Sequence, residues 1–526
     1  MSHKLARNSV IGALSGSCLL LGSFLSGVVV ARTLGVEGSG IVAYAVWLVL
    51  MITPIVDAGM SSAVIRYVSE IRGRGQSDCA DALAGRLLRI LAFSVVIAGC
   101  TIVAAVFLPA GVGFTWLPRI DGVHGLGGLA LLAPLLGFYV AAQTFAAYHL
   151  AYLRGVQDFD KIARFALVSL ALQLACVTAG SISFGVAGAL AGYAAGQIVP
   201  AVAGLRLLQR SHPIESDLRQ RVGRYARYAW AANVANAFVW SRLEVFFLER
   251  YWGSDAVAMF TVALALTALA AQGPMLLTTG LLSFLAEKHG RSEDEAMKEI
   301  FAAGTRLVAA LAFPACLGIA AITPVLLPLI YGKAFAPAVP AAIVLAGAAT
   351  IGVTSIVATN LVQAVDRSDF IFFSSVLGAV LAVLAGFLLV PSFGVLGAAV
   401  ARAAIQATMV AAGLWFVARR LHYPVPLAGL ARLLLAAMIA ASPAALCVLL
   451  IDRPLSLLIA VPAAILVYVL ALRVTRALPE SDLARLAELA RSLPRPLVGV
   501  TCGTLNFVAP AMARAETKSA AEPRSW

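Results

Sequence analysis

Charge is scarce in this chain. Charged residues make up 12% of the 526 residues and hydrophobic residues 61%, against about 25% and roughly 45–50% in soluble domains. That balance excludes an aqueous globular protein. Alternating ten-residue apolar segments are also missing, which excludes a membrane-spanning strand barrel. The seven cysteines are scattered, mostly inside apolar runs, with no C-x-x-C pair, so neither a disulfide framework nor a zinc site is expected. The six histidines are dispersed, and no metal or other cofactor is predicted. No G-x-x-x-x-G-K-[ST] loop occurs, so the chain is not expected to hydrolyse ATP.

What the chain does have is apolar runs of about 20 residues, enough to cross about 30 Å of hydrocarbon as helix. They fall at 9–31, 41–60, 90–112, 127–152, 163–182, 185–205, 228–248, 256–285, 303–330, 339–363, 369–391, 393–417, 427–451 and 454–473. The expectation is an all-α polytopic membrane protein with about 14 transmembrane helices. The first run follows Lys4 and Arg7 but is longer than a secretory signal's usual 7–15 apolar residues. It reads as the first span.

Loop charges set the orientation, because Lys and Arg are retained on the cytoplasmic side. Of 39 basic residues, only Arg32, Arg119, Arg250, Lys333 and Arg453 fall on the opposite side, and Arg242 and Arg402 lie within spans. Both termini are therefore expected in the cytoplasm of a cell inner membrane. The formal charge of +13 follows from that retention and from anionic headgroups, and calls for no nucleic acid.

An internal repeat organises the spans. SFGVAGALAGYAAGQ at 183–197 returns as SFGVLGAAVARAAIQ at 392–406, and ARTLGVEGSGIVAYAVWL at 31–48 matches ERYWGSDAVAMFTVALAL at 249–266. The second pair preserves Arg32/Arg250, Gly35/Gly253 and Glu37/Asp255. The offsets of about 209 and 218 residues imply two parallel six-helix bundles plus two extra C-terminal helices, an architecture suited to alternating access. The expected parts are a first bundle at 1–205, a basic cytoplasmic linker at 206–227, a second bundle at 228–420, two additional spans at 421–476 and a cytoplasmic tail at 477–526. Within that tail, LPESDLARLAELARSLP at 478–494 has the leucine spacing of an amphipathic helix lying on the membrane surface.

Several segments resemble a known family: VVVARTLGVEGSGIVAYAV, VDAGMSSAVIRYVSE at 56–70, PLIYGKAFAPAVPAAIVLA at 328–346, LVQAVDRSDF at 361–370 and PSFGVLGAAVA at 391–401. They are similar to oligosaccharide flippases of the multidrug/oligosaccharidyl-lipid/polysaccharide transporter superfamily. The resemblance implies translocation of undecaprenyl-diphosphate-linked oligosaccharide between leaflets for O-antigen, lipopolysaccharide, capsule or exopolysaccharide assembly. It also implies membrane lipids and polysaccharide polymerase and export machinery as partners.

A charge held in the bilayer needs a reason. Arg402 lies nine residues into a span, where the first repeat has Tyr193. It either binds a phosphate or pairs with a neighbouring helix. Arg242 and Glu244, both in the run 228–248, are candidate substrate contacts. Two residues apart on one helix, they would point about 200° from each other. The related flippases commonly carry an acid near Glu244 and basic side chains in their cavity. Arg32 and Arg66 match basic positions of the family, although both are near span ends where long side chains snorkel. Asp57 is a candidate proton or sodium site, the alternative being a partner for Arg66 or another base near the cytoplasmic end.

Two rival functions follow from the same plan. A drug-cation antiporter would want an acidic, aromatic-lined cavity, which the two arginines among the spans oppose, and a peptidoglycan-precursor flippase stays open. An enzyme acting on the same lipid needs a sizeable loop presenting carboxylates or a metal. The longest outer loop, about 113–126, offers Asp121 and His124, so no enzymatic activity is expected.

Overall fold

The computed structural model describes residues 2–107, 126–209, 215–240, 242–276, 278, 281–365, 367–451, 454–479 and 481–483. The described residues are helical almost throughout, with no strand among them. In chain order the helices are α1 Ser2–Asp57, α2 Met60–Gly73, α3 Ser77–Phe107, α4 Leu126–Val156, α5 Phe159–Leu205, α6 Ser216–Trp240, α7 Glu244–Trp252 and α8 Ser254–Leu276. They continue as α9 Leu281–Gly290, α10 Asp294–Tyr331, α11 Val339–Val353, α12 Ser355–Ala364, α13 Ser368–Leu388, α14 Val390–Arg419, α15 Leu427–Leu450 and α16 Ser456–Thr475. Among the described residues, ten stretches are long and apolar enough to cross a membrane.

Ten stretches do not mean ten crossings. The stretch Phe159–Gln209 has 51 residues, about 77 Å at 1.5 Å per residue, far beyond one bilayer core. It folds back on itself at Gly185, whose φ of 60° and ψ of −135° lie where a Cβ is not tolerated. Past that turn the two arms run so close that a Cβ on Gly188 would collide with the Gly180 carbonyl, and one on Gly192 with the Val177 backbone. Gly394, the repeat counterpart of Gly185, has φ 52° and ψ −130°. A Cβ on Gly397 there would collide with the Leu389 carbonyl. The two very short SFG turns therefore form tight hairpins.

The weaker repeat is equally visible in the backbone. Gly35 bends α1 with φ 70° and ψ −163°, and Gly253 separates α7 from α8 with φ 80° and ψ −175°. Matched glycines in one rare conformation are what a duplicated turn leaves behind.

Two compact units divide the chain: 1–265 with 330–338 and 375–401, and 266–329 with 339–374 and 402–526. In the first unit α5 packs on α1 and α4, and α2 packs on α3, α4 and α6. Its core includes Val64, Leu88, Tyr148 and Ala189. In the second unit α15 pairs with α16 and α12 with α9 and α11, with Phe301, Val357 and Val417 in its core. Phe373, Leu449 and Leu458 are exposed, as helices bathed in lipid require. Several hydroxyls within the spans bond to their own helix, as Thr144 does to Val140 and Thr323 to Ile319, which keeps them satisfied without water.

The start of the tail differs from the expected surface helix. Residues 481–483 are helical, but Leu478 and Leu483 are buried with Ala310 and Leu433, and Asp482 is fully buried. Asp482 accepts from Arg306 Nε at 2.6 Å and from the Arg306 terminal nitrogen at 3.1 Å. The leading turn thus docks on protein, because a paired carboxylate and two leucines find a better site there than at the lipid surface. The rest of the predicted helix and the tail to 526 lie outside the described residues, as does the loop at about 113–126 up to residue 125.

Candidate functional site

Asp57, Arg32, Arg242 and Glu244 all belong to the first unit, and Arg402 belongs to the second. Asp57 is the last residue of α1, where Ala58 and Gly59 both take positive φ and the chain restarts as α2. Its carboxylate is buried and accepts the Ser61 amide at 3.2 Å and the Ser61 hydroxyl. It therefore takes up an N–H of the first turn of α2, whose N-cap is Gly59. The alternative of a pair with Arg66 is not seen: the Arg66 guanidinium lies over the Tyr225 ring, 4.7 Å from its centroid.

The largest departure from the sequence reading is at 241–243. The expected continuous span 228–248 is broken, with α6 ending at Trp240 and α7 opening at Glu244. Arg242 has φ 63°, a conformation unusual for a bulky residue. Such a residue costs on the order of 1–3 kcal/mol and is typical of functional sites. Arg242 is exposed, whereas Glu244 is buried at the start of α7. The two are separated by the break and not by a helical rotation, so the 200° argument does not apply.

Arg32 is exposed and donates from Nε to the Ile330 carbonyl at 2.8 Å, tying α1 to the end of α10. Eight residues on, Gly40 packs so tightly on Ser254 that a Cβ would collide with its carbonyl. The two repeated segments therefore touch near their glycine turns. Arg402 is half-buried, near the middle of α14.

Sequence reasoning did not single out a polar network at the basic end of the first unit. Asp81 accepts from Arg72 at 2.9 Å and from the Tyr152 hydroxyl at 2.8 Å, and the Tyr148 hydroxyl donates to Ala84 at 2.6 Å. This joins α2, α3 and α4. Tyr148 and Tyr152 fall one turn apart on α4, a spacing that could have marked them.

A family model for a polysaccharide biosynthesis protein matches residues 5–282, more than half of the chain. The chain belongs to the polysaccharide biosynthesis protein family. Among curated proteins, none is matched by sequence. The fold of this family member is similar to a structure described as "Lipid II flippase MurJ, inward closed conformation", with a TM-score of 0.68 at 13% identity over 88% of this chain and 97% of that one. It is also similar to an inward-facing multidrug resistance MATE family transporter of the MOP superfamily, with a TM-score of 0.65 at 15% identity over 77% and 94% of the two chains. A MOP superfamily transporter from Pyrococcus furiosus gives 0.57 at 15% identity over 80% and 95%. The polysaccharide biosynthesis protein thus has the all-helical fold of that transporter superfamily, in agreement with the flippase resemblance of its sequence, and is a multi-pass membrane protein.

Proposed function

We propose that this family member flips an undecaprenyl-diphosphate-linked oligosaccharide from the cytoplasmic to the periplasmic leaflet of the inner membrane, supplying O-antigen, capsule or exopolysaccharide assembly. The observation that carries the reading is Arg242, an exposed guanidinium in a left-handed residue at the break between α6 and α7, inside the expected span 228–248. A strained, always-charged residue there suits a diphosphate, with which its planar fork makes bidentate bonds, and repels organic cations. Arg402, in the second unit, is a phosphate contact in its own right. Glu244 and Arg32 position the sugar-bearing end, and Asp57 couples the cycle to a proton or sodium gradient. Both termini face the cytoplasm, and polysaccharide polymerase and export machinery receive the product.

Deleting the gene should abolish the surface polysaccharide and leave lipid-linked intermediates in the membrane. A null strain with normal polysaccharide and altered dye export would replace the reading with that of a drug antiporter. In the complemented strain, Arg242→Ala should remove export at normal protein abundance and Arg242→Lys should restore it in part. Export surviving in Arg242→Ala at normal abundance would refute the phosphate contact.

A further inference from the structure

Arg66 lies on α2, immediately after the apolar stretch that ends at Asp57. A residue just past the end of an apolar span is expected near the headgroup layer, where lipid phosphates sit. Its guanidinium carbon is 4.7 Å from the centroid of the Tyr225 ring on α6 and 5.6 Å from that of Tyr67. The two rings meet edge to face at 5.7 Å and 82°. Arg66 is exposed, and among the described residues no carboxylate lies within ion-pair distance of it and no acceptor receives its N–H groups. The acid one turn along its own helix, Glu70, is held by Arg74 at 2.5 Å.

The frame around this side chain is fixed. Asn233 of α6 donates to the Ser62 hydroxyl at 3.0 Å, and the Trp230 indole donates to the Ile55 carbonyl at 3.0 Å. Gly59 lies against the Ala226 carbonyl with no room for a Cβ. Arg224 and Arg227, which flank Tyr225, are exposed and also have no carboxylate within ion-pair distance among the described residues.

Ring faces hold a guanidinium in place without neutralising it. A guanidinium so held keeps its N–H edge for a planar, two-oxygen partner and has already given up the rotamer freedom that binding would otherwise remove. We propose that Arg66, clamped by Tyr67 and Tyr225 and flanked by Arg224 and Arg227, is a binding site for the phosphate group of a membrane lipid. The site depends on the chain being a membrane protein and not on the flippase reading.

The test uses the full-length protein in detergent with three probes: geranylgeranyl diphosphate, phosphatidylglycerol and inorganic diphosphate. Arg66→Gln should weaken binding of at least one of the two lipids by about tenfold, and Arg66→Lys should recover only part of the loss. Tyr225→Leu keeps the charge but removes the clamp, and should weaken binding by about three- to fivefold. Arg291→Gln, an exposed arginine paired with Glu287 in the second unit, serves as the control and should bind as the unsubstituted protein does. Melting temperatures identify any variant that fails to fold, and the three substitutions at two positions keep the test decisive. A loss confined to geranylgeranyl diphosphate identifies the polyprenyl carrier as the ligand, and an equal loss for phosphatidylglycerol identifies a bulk lipid. Unchanged lipid binding in Arg66→Gln, or binding of inorganic diphosphate alone, overturns the site whether or not the chain exports polysaccharide.

Discussion

The hairpin around Gly185 and the hairpin around Gly394 occupy equivalent places in the repeat, and their backbones agree within about 10° at the glycine. Their side chains do not agree. Where the first has the buried ring of Tyr193, the second has the half-buried charge of Arg402. The second also carries a support that sequence matching does not suggest: the Trp252 ring lies against Gly394, and its Nε1 donates to the Val390 carbonyl at 2.8 Å. The turn is held constant by sterics, which admit only glycine. The inner positions of the arms are under no such constraint, and there the repeats have diverged toward separate roles.

The comparison breaks most readily where backbones touch. Gly188→Leu and Gly397→Leu should each leave little folded protein on size-exclusion chromatography, since the neighbouring carbonyl is main chain and cannot rotate away; the loss exceeds the roughly 1–3 kcal/mol of ordinary overpacking. Gly99→Ala, with nothing within 4 Å of the added Cβ, should be unaffected. Next in size are Gly185→Val and Gly394→Val, each expected to lose about 1–3 kcal/mol to strain. Melting temperatures lowered by similar amounts would show that the two turns are mechanically equivalent, whereas a fall at only one would show that they are not. Trp252→Phe deletes the bond to Val390 and trims the indole that lies on Gly394; the lost hydrogen bond, about 0.5–1.5 kcal/mol, should lower the melting temperature while the Gly185→Val effect stays unchanged. The smallest effect on folding should come from Arg402→Ala, with normal abundance by immunoblot and no exported polysaccharide, while Tyr193→Phe exports normally. Retained export in Arg402→Ala would erase the proposed division of labour.

The all-helical architecture was legible because apolar run length is a local property, and so were the turns, because glycine is the residue that such φ/ψ pairs require. The break at Arg242 was not. No Gly or Pro occurs between Ala231 and Trp252, so nothing local announces an interruption. The candidate residues themselves were legible as charges inside apolar runs, but their surroundings were not. Asp57 looked like a partner for Arg66 because both flank one span end, yet the carboxylate turns to Ser61 and the guanidinium to Tyr225. The docking of Leu483 escaped notice for a different reason: leucines at helical spacing fit a protein groove and a lipid surface equally well.

The pair between Arg306 and Asp482 has a consequence for the order in which the protein is made. Its members are 176 residues apart, so at roughly 5–20 residues per second the ribosome needs about 10–35 s to deliver the acid after the base. Throughout that interval the helix bearing Arg306 must wait in the membrane without its counter-charge. Removing one member of a buried pair costs on the order of 3–5 kcal/mol in soluble proteins, somewhat less here because Arg306 keeps 17% of its side-chain exposure. A chain that ends before residue 482 never closes this contact, and so carries in its own fold a mark that distinguishes unfinished protein from finished.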